Sequence, residues 1–271
     1  MLLMAGIGAM PILATSASHA EAKARAAPPI ERNAHTSIPR PLEVDHIMIH
    51  VAPGAPERSA LQHAGFTIAP DVNQHEGQGS ASITVELSNG FLELVWRDTS
   101  VSVEPSLEKV AQRFQRQSEW RSSGWSPFGI GLRRFRGAPD SLPFPTRAVR
   151  SPWMEPGASI EIISAASDTS GPRLFVVPRS MAADGFPESD SERRRLANRG
   201  TFIHSNGARS ITAVKVTAPE RALPPETELA ARYAWVTFAR GPEWLLEVTF
   251  DRGRRGVTRD LRPELPVVCH F

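Results

Sequence analysis

The sequence has almost no cysteine, tyrosine or lysine. Cys269 is the single cysteine among 271 residues, which excludes an intrachain disulfide, a CxxC redox pair and a cysteine zinc site. One tyrosine and a formal net charge of +2 do not suggest the basic, aromatic-rich surface that binds nucleic acids. The pI of 9.1 comes from a slight excess of bases, mostly arginine, over acids. We therefore expect no nucleic-acid partner.

Long apolar runs are also absent. A helix that crosses a bilayer needs about 18–20 consecutive apolar residues, so we expect no membrane span. With 41% hydrophobic residues, the chain can still bury one large core or two smaller ones. It contains no GxSxG, phosphate-binding GxxxxGK[ST], HExxH or strand-following GxGxxG motif. Serine hydrolases, NTPases, zincins and dehydrogenases are therefore disfavoured.

The N-terminal segment has the pattern of a leader. Residues 2–14 are apolar, and small residues follow them up to Ser18-His19-Ala20, which a signal peptidase would accept. We interpret residues 1–20 as a signal peptide, so that the protein is exported to the periplasm or secreted; a buried helix is the alternative. Residues 21–41 are rich in alanine, proline and charge without periodicity, which predicts a disordered linker.

A strand pattern begins abruptly at Leu42. LEVDHIMIHV is typical of a strand, and residues 56–64 predict a short helix with proline near its start and glycine after its end. Residues 66–69 predict a brief strand. SASITVEL and FLELVW, separated by Ser-Asn-Gly, predict a β-hairpin. Residues 42–98 therefore have the order strand, helix, strand, strand, strand.

A weaker second copy of this order follows. Residues 104–120 predict a connecting helix, and residues 126–135, 158–164 and 172–178 predict strands, which places a second module at 126–180. Residues 181–271 predict a helix over 189–199 and then a partial β-rich module, with strands at 208–219, 233–239 and 243–250 and a short helix at 226–231. The modules pair either within one chain or across a homodimer.

Strand alternation selects candidate functional residues. His46, Met48 and His50 share one face of the first strand, while Ile47 and its apolar neighbours face the helix. In the second hairpin strand, Glu93 stands among apolar residues. A buried carboxylate is unfavourable without a cation or a hydrogen-bond donor. A divalent metal held jointly with histidine is one way to satisfy it; an internal pair of His46 and Glu93 is another.

LEVDHIMIHV, the order of elements and GFLELVW resemble the vicinal oxygen chelate superfamily, and HEGQGSAS followed by FLELVW resembles its glyoxalase-like branch. The resemblance covers residues 42–96 well and 126–178 less closely. In metal-dependent members each module contributes a histidine from its first strand and a glutamate from its last. These positions correspond to His46 and Glu93. In the second module they fall on Gly129 and near Phe175, so half of the ligand set is missing.

The resemblance implies further site residues. His75 resembles a histidine typical of the glyoxalase-like branch, and HSNGARSIT resembles the HPNGA-type segment that follows its paired modules, which places His204 at the same cavity. The implied metal ligands are His46, Glu93 and His75. The substrate pocket is expected to include His50, Met48 and His204.

The resemblance implies an α+β protein, in which paired βαβββ modules (42–180) form curved mixed sheets around a cavity, with an additional C-terminal β-rich segment. The implied activity is of lyase or isomerase type on a small organic molecule. A divalent ion (Zn, Ni, Mn or Fe) would chelate vicinal oxygens and act as a Lewis acid. Glu93 is the catalytic candidate, as a ligand or as a general base. The alternative, favoured by the missing second-module ligands, is a non-catalytic protein that sequesters a small molecule without metal or other cofactor.

Overall fold

The structure is a computed structural model that describes residues 41–135, 137–163, 170–183, 203–219 and 225–271. The predicted signal peptide (1–20), nearly all of the linker (21–41) and the predicted helix at 189–199 lie outside these residues. The described strands are β1 (Leu42–His50), β2 (Asn73–His75), β3 (Ser80–Leu87), β4 (Gly90–Arg97), β5 (Phe128–Arg134), β6 (Thr146–Val149), β7 (Ile160–Ile163), β8 (Arg173–Val176), β9 (Ile211–Ala218), β10 (Val236–Arg240), β11 (Leu245–Phe250), β12 (Thr258–Asp260) and β13 (Val267–His270). The described α-helices are α1 (Arg58–His63), α2 (Glu108–Ser118), α3 (Trp120–Ser123) and α4 (Pro225–Ala234).

The first module has the predicted order of elements. The hairpin of β3 and β4 is confirmed, with Leu87 paired to Gly90 across the turn. The prediction of a strand at residues 66–69 is wrong, since these residues form no strand. Phe66 packs into the core, and the backbone N–H of Thr67 donates a hydrogen bond to His204 in the C-terminal segment. The short second strand is β2 instead, which pairs antiparallel with β3.

The two modules join through their first strands. Eight strands form one mixed sheet in the order β2-β3-β4-β1-β5-β8-β7-β6, and β1 pairs antiparallel with β5. In both modules the first strand pairs in parallel with the last, β1 with β4 and β5 with β8. The modules therefore pair within one chain. The connection between β5 and β6 has no helix in its described part.

A second sheet follows, in the order β10-β9-β11-β13-β12. Helix α4 connects β9 to β10, which are parallel neighbours. This topology differs from that of the first module, where the parallel neighbour of the first strand is the last one. Two of its strands, β12 and β13, were not predicted. The α+β class and the mixed sheets are confirmed.

One apolar core joins the two sheets. It includes Ile47 and Ile49 from β1, and Val248 and Phe250 from β11, all almost completely buried. The opposite face of β1 therefore lies on the concave side of the eight-stranded sheet. Among the described residues, no helix combines the length and apolarity needed to cross a membrane.

Candidate functional site

The concave side of the eight-stranded sheet encloses a cavity of about 600 Å³. This volume suits a small organic ligand. Its floor comes mainly from β1, β4, β5 and β8, and α2 closes one side. His46, Met48 and His50 all line it, as the alternation along β1 predicted. These three residues of β1 therefore belong to one concave surface.

His46 is held in a defined orientation. Its Nδ1 lies 2.7 Å from Asp45 Oδ1, so Nδ1–H donates to this carboxylate and Nε2 points towards Glu93. Asp45 Oδ2 accepts a hydrogen bond of 2.7 Å from the backbone N–H of Ala183 and lies 3.7 Å from Arg133 Nη1. An imidazole held in this way presents Nε2 as its free nitrogen when it is neutral.

The ring of His46 is enclosed on several sides. Phe91 stacks on it with ring centroids 4.6 Å apart and an interplanar angle of 7°, and Phe175 lies 5.3 Å away at a tilt. Gly131 is its partner across the pairing of β1 and β5. A Cβ at Gly131 would lie 2.4 Å from His46 Cε1, well inside van der Waals contact. Glycine is therefore required there if the ring is to keep its position.

His75 and Glu93 meet His46 at the same end of the cavity. Gly77 and Gly79, with φ of +78° and +69°, form the turn after β2, which brings His75 Nδ1 to 3.0 Å from Ser80 Oγ. The His75 Nε2 atom lies 3.9 Å from Glu93 Oε1, and His46 Nε2 lies 3.9 Å from Glu93 Oε2. Each carboxylate oxygen of the buried Glu93 thus faces one imidazole.

The two imidazoles differ in their acid–base properties. Burial disfavours the charged form of His46, but the hydrogen bond to Asp45 and the negative charges of Asp45 and Glu93 outweigh it and raise its pKa. For His75, burial is the main effect and lowers the pKa; Glu93 opposes this and His46 adds to it. His75 is therefore neutral near pH 7 and can offer a lone pair.

The donor types suit a divalent cation. Two imidazoles and a carboxylate bind Zn²⁺ and other first-row metals, and Asp45 and Ser80 supply the outer hydrogen bonds that usually orient such histidines. Donors on one ion are about 3.0–3.4 Å apart, since each bond is about 2.0–2.1 Å long. No group of three such donors in the described ranges has the spacing of a preformed metal site.

The second module contributes no metal donor at the corresponding positions. Gly129 and Phe175 both line the cavity, where the resemblance would place a histidine and a glutamate. Gly129 pairs with Met48 across β1 and β5, and Phe175 contacts His46 with its ring. Any metal ligands at this end therefore come from the first module.

His50 lies at the other end of the cavity. It is 2% exposed, its ring packs edge-on against Phe114, and its Nδ1 has no hydrogen-bond partner in the described structure. Burial, together with the positive charges of Arg113 and Arg173, lowers the pKa of His50 to about 3. His50 is therefore neutral at any physiological pH.

Sequence reasoning missed the two arginines of this end. Arg113 lies on the buried face of α2 with Phe114 and Gln117, and Arg173 begins β8; both line the cavity. The spacing of Arg113 from Val110, Phe114 and Gln117 follows the inward face of an amphipathic helix. The sequence could have indicated Arg113, because this arginine shares a helix face with apolar residues.

His204 does not lie where the resemblance placed it. We expected it in the substrate pocket, but it is absent from the cavity lining. Its Nδ1 accepts a hydrogen bond of 3.1 Å from the N–H of Thr67, and its Nε2 donates one of 2.8 Å to the carbonyl of Glu86. Both ring nitrogens are engaged by backbone groups, so His204 ties the C-terminal segment to the first module.

Comparison with known proteins adds little about function. No protein-family model and no curated protein sequence matches the chain. Among solved structures it is similar to a hypothetical protein from Staphylococcus aureus, at 12% identity over 84% of this chain and 98% of that chain, with a TM-score of 0.44. This similarity does not bear on what the cavity binds.

Proposed function

We propose that this protein is an enzyme of the lyase or isomerase type, related to the vicinal oxygen chelate superfamily, that acts on a small organic molecule through a divalent metal. The observation that carries the proposal is the convergence of His46, His75 and Glu93 at one end of a largely apolar cavity. Buried titratable groups in a cavity that can hold a ligand are the usual arrangement of an active site.

In this proposal His46 and His75, through Nε2, and Glu93, through its carboxylate, would hold the metal. When bound, the metal would supply Lewis-acid stabilisation to paired oxygens of the substrate. Asp45 keeps the His46 ring oriented through its 2.7 Å hydrogen bond, and Phe91 and Phe175 exclude water from that ring. These contacts hold the ring before any ligand arrives.

Glu93 is the group placed to move a proton. Its two oxygens face the two imidazoles and its apolar neighbours limit access by water. A carboxylate in such surroundings can accept a proton from a substrate carbon or hydroxyl within hydrogen-bond reach.

Metal analysis tests this proposal. The full chain is incubated with Zn²⁺, Ni²⁺, Mn²⁺ or Fe²⁺, freed of excess ion and analysed for metal per chain. We expect one ion per chain in the wild type and a strong loss in His46→Ala and Glu93→Gln. His63→Ala, which removes an exposed histidine of α1, is the matched control and should retain the metal. A wild-type protein that retains no ion would contradict the proposal.

A non-catalytic binding protein is the second candidate. It is favoured by Gly129 and Phe175, which line the cavity where the second half of the ligand set would be and have no metal-binding side chain. In this case a ligand would bind the metal-free protein as tightly as the metal-treated one, and Glu93→Gln would leave its affinity unchanged. Calorimetry with and without chelator distinguishes the two candidates.

A further inference from the structure

The described part of the chain uses methionine only around the cavity. Of the six methionines in the sequence, three stand at positions 1, 4 and 10, within the predicted signal peptide. The other three are Met48, Met154 and Met181, and all of them line the cavity. They come from the middle of β1, from the connection between β6 and β7, and from a turn of 3-10 helix at Arg179–Met181 after β8. The fold therefore gathers methionines from three distant segments at one place.

Met48 belongs to an apolar layer on the concave side of the eight-stranded sheet. The members of this layer form a buried cluster separate from the main core: Met48, Val95, Phe114, Phe175 and Val177. Ile160 and Ile162 of β7 pack against the cluster and are only half-buried. Both isoleucines line the cavity, so they present apolar surface to a molecule inside it. Apolar surface in a concave site of this size is typical of a small-molecule pocket.

This apolar layer adjoins the ring of His46 directly. Strand pairing across β4, β1, β5, β8 and β7 produces one row of residues: Phe91, His46, Gly131, Phe175 and Ile162. Gly131 has no side chain, and the His46 ring occupies the space beside it. The ring of Phe175 therefore comes next, 5.3 Å from that of His46. Because neighbouring strands are about 4.8 Å apart, the row extends about 14 Å from His46 to Ile162.

The adjacent row connects Met48 with Glu93. These two residues are partners across β1 and β4, and on its other side Met48 is paired with Gly129 of β5. A Cβ at Gly129 would lie 3.2 Å from Met48 Sδ and 3.3 Å from Met48 Cβ. Gly129 thus leaves room for the Met48 side chain, at the position where the family resemblance would place a second histidine. A ligand that contacts Met48 therefore lies beside Glu93.

The groups on this side of the cavity favour an aromatic ring. The thioether of methionine is unbranched and polarisable, adapts to the shape of its neighbour and contacts aromatic rings favourably at about 5 Å. Phe114, Phe175 and Trp153 also line the cavity, and the Trp153 ring lies 5.3 Å from that of His75. Aromatic rings attract one another in offset-stacked and edge-to-face arrangements, which a saturated ring does not form. Three thioethers and three rings around one space thus favour an aromatic body over a saturated one of the same size.

We propose that Met48, Met154 and Met181 form an adaptable pocket for an aromatic ring, which makes small aromatic compounds the substrate class of this cavity. The ring lies over Phe175 and Ile162, on the side of the second module. That this ring carries a reacting group to Glu93 rests on the proposed function, whereas binding of the ring does not. Because methionine side chains adapt to their neighbours, the pocket accepts both single and fused rings.

NMR on the full chain, isotope-labelled in the methionine methyl groups, tests this inference. The probes are benzyl alcohol and naphthylmethanol, which have no paired oxygens and therefore report on the ring pocket alone. We expect the signals of at least two cavity methionines to shift with either probe, because an aromatic ring alters the resonance of nuclei beside it. Met48→Leu, Met154→Leu and Met181→Leu each remove one signal and so assign it. Leucine and methionine have similar volumes, so these variants should fold.

Calorimetry with saturated counterparts tests the preference for an aromatic ring. Naphthylmethanol should bind about three- to tenfold more tightly than decalylmethanol, although the saturated ring is the more hydrophobic. In Met48→Leu this preference should fall by about twofold or more, with the affinity for decalylmethanol unchanged. Binding of the saturated alcohol also reports that the variant is folded.

Leu246→Met is the matched control. Leu246 is fully buried in the core that joins the two sheets and does not line the cavity. The signal of the new methionine should stay in place when the probes are added. The inference would be overturned by unmoved signals of all three cavity methionines, by an equal shift at position 246, or by a saturated alcohol that binds as tightly as the aromatic one. An undiminished preference in all three leucine variants would likewise refute it.

Metal analysis separates this inference from the proposed function. Glu93→Gln should lose the metal and retain binding of naphthylmethanol. A wild type without metal whose cavity methionines respond to the aromatic probes would refute the metal chemistry alone. A wild type that holds the metal but whose cavity methionines do not respond would refute the aromatic pocket alone.

Discussion

Gly131→Ala is the substitution that tests the His46 site most directly. The new Cβ would lie 2.4 Å from His46 Cε1, whereas ordinary contacts begin at 3.4 Å, so the ring would have to move by about 1 Å. Phe91 stacks on the ring and Phe175 lies beside it, which leaves little room for such a movement. The hydrogen bond to Asp45, 2.7 Å long, would be stretched or broken.

We expect Gly131→Ala to lower both the stability of the protein and its affinity for metal. Overpacking of a buried site lowers the free energy of unfolding by about 1–3 kcal/mol, and urea denaturation measures this loss. Loss of the hydrogen bond that orients a metal-binding histidine weakens metal affinity by about 10–100-fold. Titration with Zn²⁺ under chelator competition measures the second effect.

Gly129→Ala is the matched control on the same strand. There the new Cβ would lie 3.2 Å from Met48 Sδ, and a flexible thioether can move aside by a few tenths of an ångström. We expect a stability loss below about 1 kcal/mol and unchanged affinity for metal. If Gly131→Ala matched Gly129→Ala in both measurements, the position assigned to the His46 ring would be wrong.

Three further predictions concern residues outside the cavity. His204→Ala should lower the free energy of unfolding by about 1–3 kcal/mol, because it leaves two backbone groups without partners, and calorimetry should find ligand binding unchanged. Cys269 is buried and burial raises the pKa of its thiol to about 12, so a thiol reagent should label it only as fast as the protein unfolds; rapid labelling of the native protein would contradict this. Glu247→Gln, which removes the 2.6 Å ion pair with the half-exposed Lys215, should change stability by less than about 1 kcal/mol in urea denaturation, and loss of bound metal in this variant would show that Glu247 has more than a structural role.

Local sequence patterns determined which residues share a face. Side chains alternate along a strand, so the order of residues in β1 was sufficient to place His46, Met48 and His50 on one side and Ile47 in the core. The Asn-Gly turn likewise determined the β3/β4 hairpin and the position of Glu93 within it. These features depend only on neighbouring residues, which is why a single sequence reveals them.

The pairing of distant segments was decided by the tertiary structure alone. The antiparallel contact of β1 with β5 brings Gly131 against His46, and the packing of α2 and β8 brings Arg113 and Arg173 beside His50. No local pattern specifies which strand becomes the neighbour of which, because that choice depends on how all the apolar faces are buried together. Strand periodicity in the sequence thus selected His46 and Glu93, and family resemblance selected His75, whereas the residues that pack around them are known only once the chain is folded.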